Sequence, residues 1–270
     1  MKFFNKLWIM GLLILGIAFP CYAEKIVVEG STTVLPIAQK AAEVFMNNTP
    51  GADISVRGGG SGVGIASLLD KACDIADSSR AIKDTELDKA AANGVSPKAN
   101  VIAMDGICVI VHPSNNTDAL TKKQIKNIYT GAISNWKQLG GPDEKIVVIS
   151  RDSSSGTFEA FGVLVLDGAK VRSDALLQAS NQAVASTVAS TPGGIGYVGL
   201  GYVTSSVKAV DVDGIKGSKE TVLTNRYPIG RPLFMYTDGA PKGLAKQFID
   251  FILSPEGQKI VDEEGFVALK

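Results

Sequence analysis

Three times along this chain a short apolar run ends in a turn of glycine and hydroxyl residues and then continues as a helix. The fullest case is Ile149-Ser150-Arg151-Asp152-Ser153-Ser154-Ser155-Gly156-Thr157-Phe158-Glu159-Ala160-Phe161. Before it, Lys145-Ile146-Val147-Val148-Ile149 reads as a buried strand, and Phe158 to Leu166 reads as the opening of a helix. The free N–H groups of a helix's first turn carry the positive end of its dipole, so a turn of this kind accepts an anion. Ser153, Ser154, Ser155 and Thr157 add hydroxyl donors, and Gly156 lets a ligand approach the backbone. Arg151 presents a planar fork to two oxygens at once. A serine-rich surface turn with an ordinary N-cap would look the same in isolation, and recurrence decides between the two readings.

The pattern recurs upstream. Lys25-Ile26-Val27-Val28-Glu29 is a strand, Gly30-Ser31-Thr32-Thr33 a turn, and Leu35 to Met46 a helix with Ile37, Ala38, Ala41, Val44 and Phe45 inward. Pro36 is tolerable in the first turn. Ala52 to Arg57 is a second strand, and Gly58-Gly59-Gly60-Ser61-Gly62 leads into a helix bearing Ile65, Leu68 and Leu69. Asp74-Ile75-Ala76-Asp77 is a short strand ending at Ser78-Ser79-Arg80, and Thr85 with Asp88 reads as the cap of a helix through Ala92. Val101 to Val111, interrupted by Asp105-Gly106, is long enough to cross from one domain to another. Strand–helix alternation predicts parallel sheets, and such sheets bind ligands beyond the carboxyl ends of their strands. Helix starts near residues 32, 62 and 157 would together surround a small tetrahedral anion.

Residues 1–23 read as a targeting segment. Lys2 and Lys6 precede the apolar run Leu7 to Phe19, and Cys21-Tyr22-Ala23 suits cleavage near Ala23 and export; lipidation at Cys21 is a minor alternative. The run is too short to favour a permanent span. Of 27 basic and 27 acidic residues the segment takes two lysines, leaving a net charge of −2, with no basic run to recruit nucleic acid. The remaining length suits one large or two medium domains. Cys73 and Cys108 either pair in an oxidising compartment or stay as buried thiols. Leu120 to Leu139 reads as packed helix and turn, Gln178 to Val188 as a polar alanine-rich segment, and Ala245 to Leu253 and Gly257 to Val261 as terminal amphipathic helices. Tyr197 and Tyr202 belong either to the cleft rim or to core packing.

Catalysis is not expected. The single histidine, His112, lies in Val111-His112-Pro113 without a neighbouring carboxylate, and no Gly-x-Ser-x-Gly elbow or nucleotide P-loop exists. No His/Cys cluster suggests a metal, and no cofactor is implied.

The motifs Gly30-Ser31-Thr32-Thr33-Val34-Leu35-Pro36, Gly58-Gly59-Gly60-Ser61-Gly62-Val63-Gly64-Ile65, Asp74-Ile75-Ala76-Asp77-Ser78-Ser79-Arg80, Ile128-Tyr129-Thr130-Gly131 with Asn135-Trp136, Arg151 with Ser155-Gly156-Thr157, and Gly194-Ile195-Gly196-Tyr197 stand in one order along nearly the whole chain after residue 23. In this the chain resembles phosphate-binding proteins of the PstS type, exported receptors of phosphate ABC importers. The resemblance implies a type II periplasmic-binding-protein fold, in which two α/β lobes are joined by two crossing segments. The crossings would fall near Asp105-Gly106 and Pro228 to Phe234, with lobe 1 from 24–106 and 227–270 and lobe 2 from 107–226. It implies a monomer in the periplasm that closes on inorganic phosphate and docks on a membrane permease. Carried over by position, the anion ligands are Ser31 or Thr32, Ser61, Ser79, Arg151, Ser155, Gly156 and Thr157, with Arg80 as a further cation. Family members often carry a carboxylate where Ser79 stands, accepting the proton of hydrogen phosphate and rejecting sulfate. Here Asp105 is the first candidate for that acceptor and Asp77 the second. The competing readings are a receptor for sulfate, molybdate or tungstate on the same fold, and a phosphatase-like enzyme.

Overall fold

The structure is a computed structural model describing residues 24–269, and residues 1–23, read above as a targeting segment, lie outside them. In chain order its elements are β1 (Glu24–Gly30), α1 (Leu35–Asn48), β2 (Ala52–Gly58), α2 (Ser61–Leu69), β3 (Ile75–Ser78), α3 (Asp84–Ala92) and β4 (Pro97–Val111). Then come β5 (Ala119–Leu120), α4 (Lys122–Thr130), β6 (Val147–Arg151), α5 (Gly156–Leu164), β7 (Leu176–Gln178), α6 (Asn181–Ala189), β8 (Gly194–Gly199) and β9 (Lys208–Val212). The chain ends with α7 (Lys219–Leu223), β10 (Gly230–Asp238), α8 (Gly243–Leu253) and α9 (Pro255–Glu263). Among the described residues no helix is long and apolar enough to cross a membrane.

Two cores flank a shared pair of strands. In lobe 1, α1, α8 and α9 bury Ile37, Phe45, Phe248 and Val261 against Val28, Ile75, Ile102 and Met235. In lobe 2, Ile125, Tyr129, Trp136, Phe161 and Tyr197 pack around Ile107, Val109 and Val148. β4 serves both: it pairs with β10 as far as Gly106↔Gly230, and from Ile107 onward with β8. Fifteen extended residues reach roughly 50 Å, enough to run through two cores.

The expectation of parallel sheets holds for the strands that alternate with helices and fails at the two crossing strands, β4 and β10. β1 is parallel to β2 and β3, and β6 to β7 and β8, but β10 is antiparallel to β3 and β4, and β4 to β8. A chain that crosses into lobe 2 must return in the opposite sense, so its two crossings meet head to tail. That pairing sets Arg231 directly opposite Asp105. Partners across an antiparallel pair sit close enough for their side chains to touch.

Other boundaries move by small amounts. The cap of α3 lies earlier than Thr85: the Glu86 carboxylate accepts from Lys83 N at 2.9 Å, because an acid three residues past the entry can reach back to it. α5 begins at Gly156, two residues ahead of expectation. The segment at 178–188 is largely helix, since Ser180 Oγ accepts from Ala183 N at 3.0 Å and caps α6. Of the two readings for the cysteines, both are free buried thiols, Cys73 in lobe 1 and Cys108 in lobe 2. Tyr197 belongs to the core, stacked on Phe161 with ring centroids 4.0 Å apart. Its hydroxyl lies 2.9 Å from Ser150 Oγ and accepts from Arg151 N at 3.3 Å, which anchors the end of β6.

Candidate functional site

Four strand ends deliver their turns to one place. Ser61 opens α2, and its Oγ accepts from Ser79 N at 3.0 Å and lies 3.4 Å from Ser79 Oγ. Opposite them, α5 starts at Gly156 and Thr157, with Ser155 Oγ capping it by accepting from Phe158 N at 3.2 Å. Thr157 Oγ1 is 3.0 Å from Thr33 Oγ1, so the turn after β1 meets the turn after β6. First-turn N–H groups lack intrahelical partners, so turns that meet in this way offer a place for an anion. Ser31, Thr32, Ser61, Ser79, Arg151, Ser155, Gly156 and Thr157 are all buried.

Close approach dictates glycine at two points. Gly60, at φ 103°, would drive a Cβ to within 2.6 Å of Ser154 O, and Gly62 N donates to that same oxygen at 2.9 Å. A Cβ on Gly156 would run into Ser61 Oγ and come within 2.8 Å of both Ser61 Cβ and Ser79 Oγ. Gly156→Ala should therefore hold the lobes apart and weaken anion binding by roughly 5- to 150-fold, as overpacking of about 1–3 kcal/mol implies. Titration calorimetry checks this, and an unchanged isotherm would place the ligand away from α5.

Two arginines supply the charge. Arg151 is 1% exposed; its Nε donates to Gln178 O and its Nη2 to Ala179 O, each at 3.0 Å, while the buried Nη1 has no protein acceptor. Burial lowers its affinity for its proton, opposed by the nearby Asp152, and a guanidinium stays charged regardless. Arg231, from β10, donates through Nε and Nη2 to Asp105 Oδ2 at 3.0 and 2.8 Å, through Nη1 to Ser79 O at 3.1 Å, and through Nη2 to Thr157 Oγ1 at 3.0 Å. The Arg231 charge also lowers the proton affinity of Arg151. One carboxylate balances two buried cations, which leaves the pocket a preference for an anion.

The structure parts from expectation at three charged residues. Asp105 is fully buried, with Oδ1 accepting from Leu200 N at 2.9 Å and Oδ2 from Arg231. Burial raises its pKa and the Arg231 charge pulls it back, so its work is to pair with and orient Arg231. Arg80 is buried, clamped by Glu86 at 2.7 and 2.8 Å and paired with Glu159, so its charge is balanced within the protein. Asp77 is buried with neither carboxylate oxygen partnered.

Burial holds Asp77 protonated well above the usual carboxylate range. The folded state keeps a proton that the unfolded chain sheds near pH 4, so this contribution is full below that pH and is lost as pH rises through the folded value. Asp77→Asn should flatten the decline in denaturation midpoint above pH 4; an unchanged slope would mean that the carboxyl is solvated.

Sequence reasoning passed over three contributors. Thr33 sits inside the first motif, one residue beyond the choice of Ser31 or Thr32. Thr32 instead accepts from Asn181 Nδ2 at 3.1 Å, and Ser31 Oγ from Thr33 N at 3.1 Å. Asn181 opens α6, donates also to Thr33 Oγ1 at 3.0 Å and accepts from Gly199 N at 3.1 Å. Arg231 lay within the segment read as the second crossing, and a charge inside an apolar strand was the available signal.

Chemically this is a set of donors without an activated nucleophile. His112 Nδ1 is bonded within its own turn to Ser114 Oγ at 2.7 Å. Among the described residues no group of His, Cys, Asp and Glu is arranged to hold a metal.

Comparison with known proteins follows the same lines. Residues 20–256 match the family model described as PBP superfamily domain. The phosphate-binding protein PstS of Bacillus subtilis is 37% identical over 245 residues, covering 89% of this chain and 79% of that one. The protein of the same name from Borreliella burgdorferi is 36% identical over 260 residues, covering 92% and 91%. A crystal structure from Clostridium perfringens, described as a candidate phosphate ABC transporter substrate-binding protein with bound phosphate, superposes with a TM-score of 0.85 at 37% identity, covering 92% of this chain and 100% of that one.

Proposed function

Because the chain belongs to the PBP superfamily and, within it, to the PstS-type phosphate-binding proteins, we propose that its converging turns are the cradle of a phosphate receptor. It captures inorganic phosphate between its lobes as the substrate-binding protein of an ABC importer. The observation that carries this reading for the site is Arg151 Nη1, a buried cationic donor with no protein acceptor, on the last residue of the strand whose turn leads into α5.

The ligand set is Ser61, Ser79, Arg151, Gly156 and Thr157, with Ser155 capping α5 and with Thr33 and Arg231 in place of Ser31, Thr32 and Arg80. Lobe 1 is 24–106 with 227–270, and lobe 2 is 107–226. The chain acts as an exported monomer, released near Ala23, and hands its cargo to a membrane permease without chemical turnover. Oxygens gripped from both lobes favour the closed state by their differential contacts.

The proton of hydrogen phosphate needs an acceptor; Asp105 is engaged by Arg231, and burial favours the protonated form of Asp77, which has no charge to offer. Serine and threonine hydroxyls have lone pairs to accept it. A hydroxyl repels sulfate less than a carboxylate does, so discrimination here is milder. Isothermal titration of the signal-free protein with phosphate, sulfate and molybdate tests the assignment. Phosphate is expected to bind with a dissociation constant of about 1 μM or tighter, roughly 8 kcal/mol. Tighter binding of sulfate or molybdate would overturn the phosphate reading in favour of another oxyanion.

A further inference from the structure

Glu159 lies in the first turn of α5, two residues beyond Thr157, yet its carboxylate turns away from the cradle to the rim. There Oε1 accepts from Lys83 Nζ at 2.7 Å, and Oε2 pairs with the Arg80 Nε edge as an ion contact without hydrogen-bond geometry. Arg80 and Lys83 belong to lobe 1, between β3 and α3, and Glu159 belongs to lobe 2. The lobe 1 side is preorganised: Glu86 grips the far edge of the Arg80 guanidinium with both oxygens, which leaves the Nε edge facing lobe 2. Arg80 and Glu159 keep only 8% and 17% of their side-chain surface, so solvent screens this pair weakly.

We infer that Glu159 is the positioning residue of a cross-cleft clasp, which sets phosphate affinity by holding the lobes shut without touching the ligand. The inference rests on the phosphate-receptor reading. Two carboxylates and two cations balance when the lobes meet. Parting them leaves lobe 1 with one excess positive charge and lobe 2 with an unpaired acid, so the contact exists only in the closed state and favours it.

A purely electrostatic view of Glu159 predicts the opposite sign. An acid in the first turn occupies the positive end of the α5 dipole and repels a bound anion. Neutralising it would then tighten phosphate binding, whereas breaking a clasp weakens it.

The test is stopped-flow and calorimetric phosphate binding to wild type, Glu159→Gln and Lys83→Gln at low and high salt. In Glu159→Gln the clasp predicts affinity lower by roughly tenfold through faster release, with the association rate unchanged, as for truncation of a buried charge pair. Lys83→Gln, at a half-exposed position, should also speed release, and its effect should vanish in the Glu159→Gln background. High salt should shrink the Lys83→Gln difference more than the Glu159→Gln difference, and the unliganded melting temperatures should match. Equal or tighter binding by Glu159→Gln overturns the clasp. So does a Lys83→Gln effect confined to association, which would mark a steering charge. If wild type itself fails to bind phosphate, the receptor reading falls instead of the clasp.

Discussion

Replacing Arg231 by methionine is expected to lower the melting temperature by roughly 10 °C and to impair phosphate binding as well. Arg231 and Asp105 form an ion pair with side chains 4% and 0% exposed. Removing the cation leaves a carboxylate in the interior with only the Leu200 and Gly106 amides to stabilise it. Breaking such a pair costs about 3–5 kcal/mol, and each kcal/mol moves a protein of this size by about 2–4 °C. Relief of the repulsion between Arg231 and Arg151 offsets a small part. Because the fault is the orphaned charge, adding Asp105→Asn should restore much of the melting temperature. It should not restore affinity, since Thr157 and Ser79 still lack the guanidinium that orients them. Differential scanning calorimetry with titration separates the two effects. Recovery of both in the double variant would show that Arg231 serves the fold alone.

Arg151→Met should cost more affinity than stability. The side chain is held by two main-chain carbonyls, and the freed volume is largely refilled by a long apolar chain. Its unpartnered Nη1 is the group a bound oxyanion would meet. Loss of a charge-assisted hydrogen bond removes about 1.5–3 kcal/mol, or roughly 10- to 150-fold in dissociation constant. A wild-type isotherm for this variant would remove Arg151 from the ligand set.

These two arginines mark what a linear reading can see. Arg151 was visible because it ends an apolar run and precedes a cluster of small residues, so local pattern alone placed it at a strand end facing a helix start. The same logic located the turns that hold Ser61, Ser79, Gly156 and Thr157, since each follows a strand-like run with a turn whose chemistry is local. Arg231 is paired with a residue 126 positions away, and its role depends on the register of β10 against β4. No local pattern encodes that register. The pairing of Asp105 depends on the same register: its nearness to the cleft followed from the crossing strand, but its partner lies on the other crossing. Thr33 and Thr32 differ by one residue, and one residue of register turns a side chain from one partner to another. The parallel lobes followed from strand–helix alternation, whereas the antiparallel centre required knowing that the chain crosses twice.

A crystal structure of residues 24–270 grown with phosphate tests the central claim most directly. The account predicts a tetrahedral anion within hydrogen-bonding distance of Arg151 Nη1, Ser61 Oγ and Thr157, with the lobes closed and Asp105 still on Arg231. Phosphate bound elsewhere, with Arg151 Nη1 making no contact to it, would contradict the account.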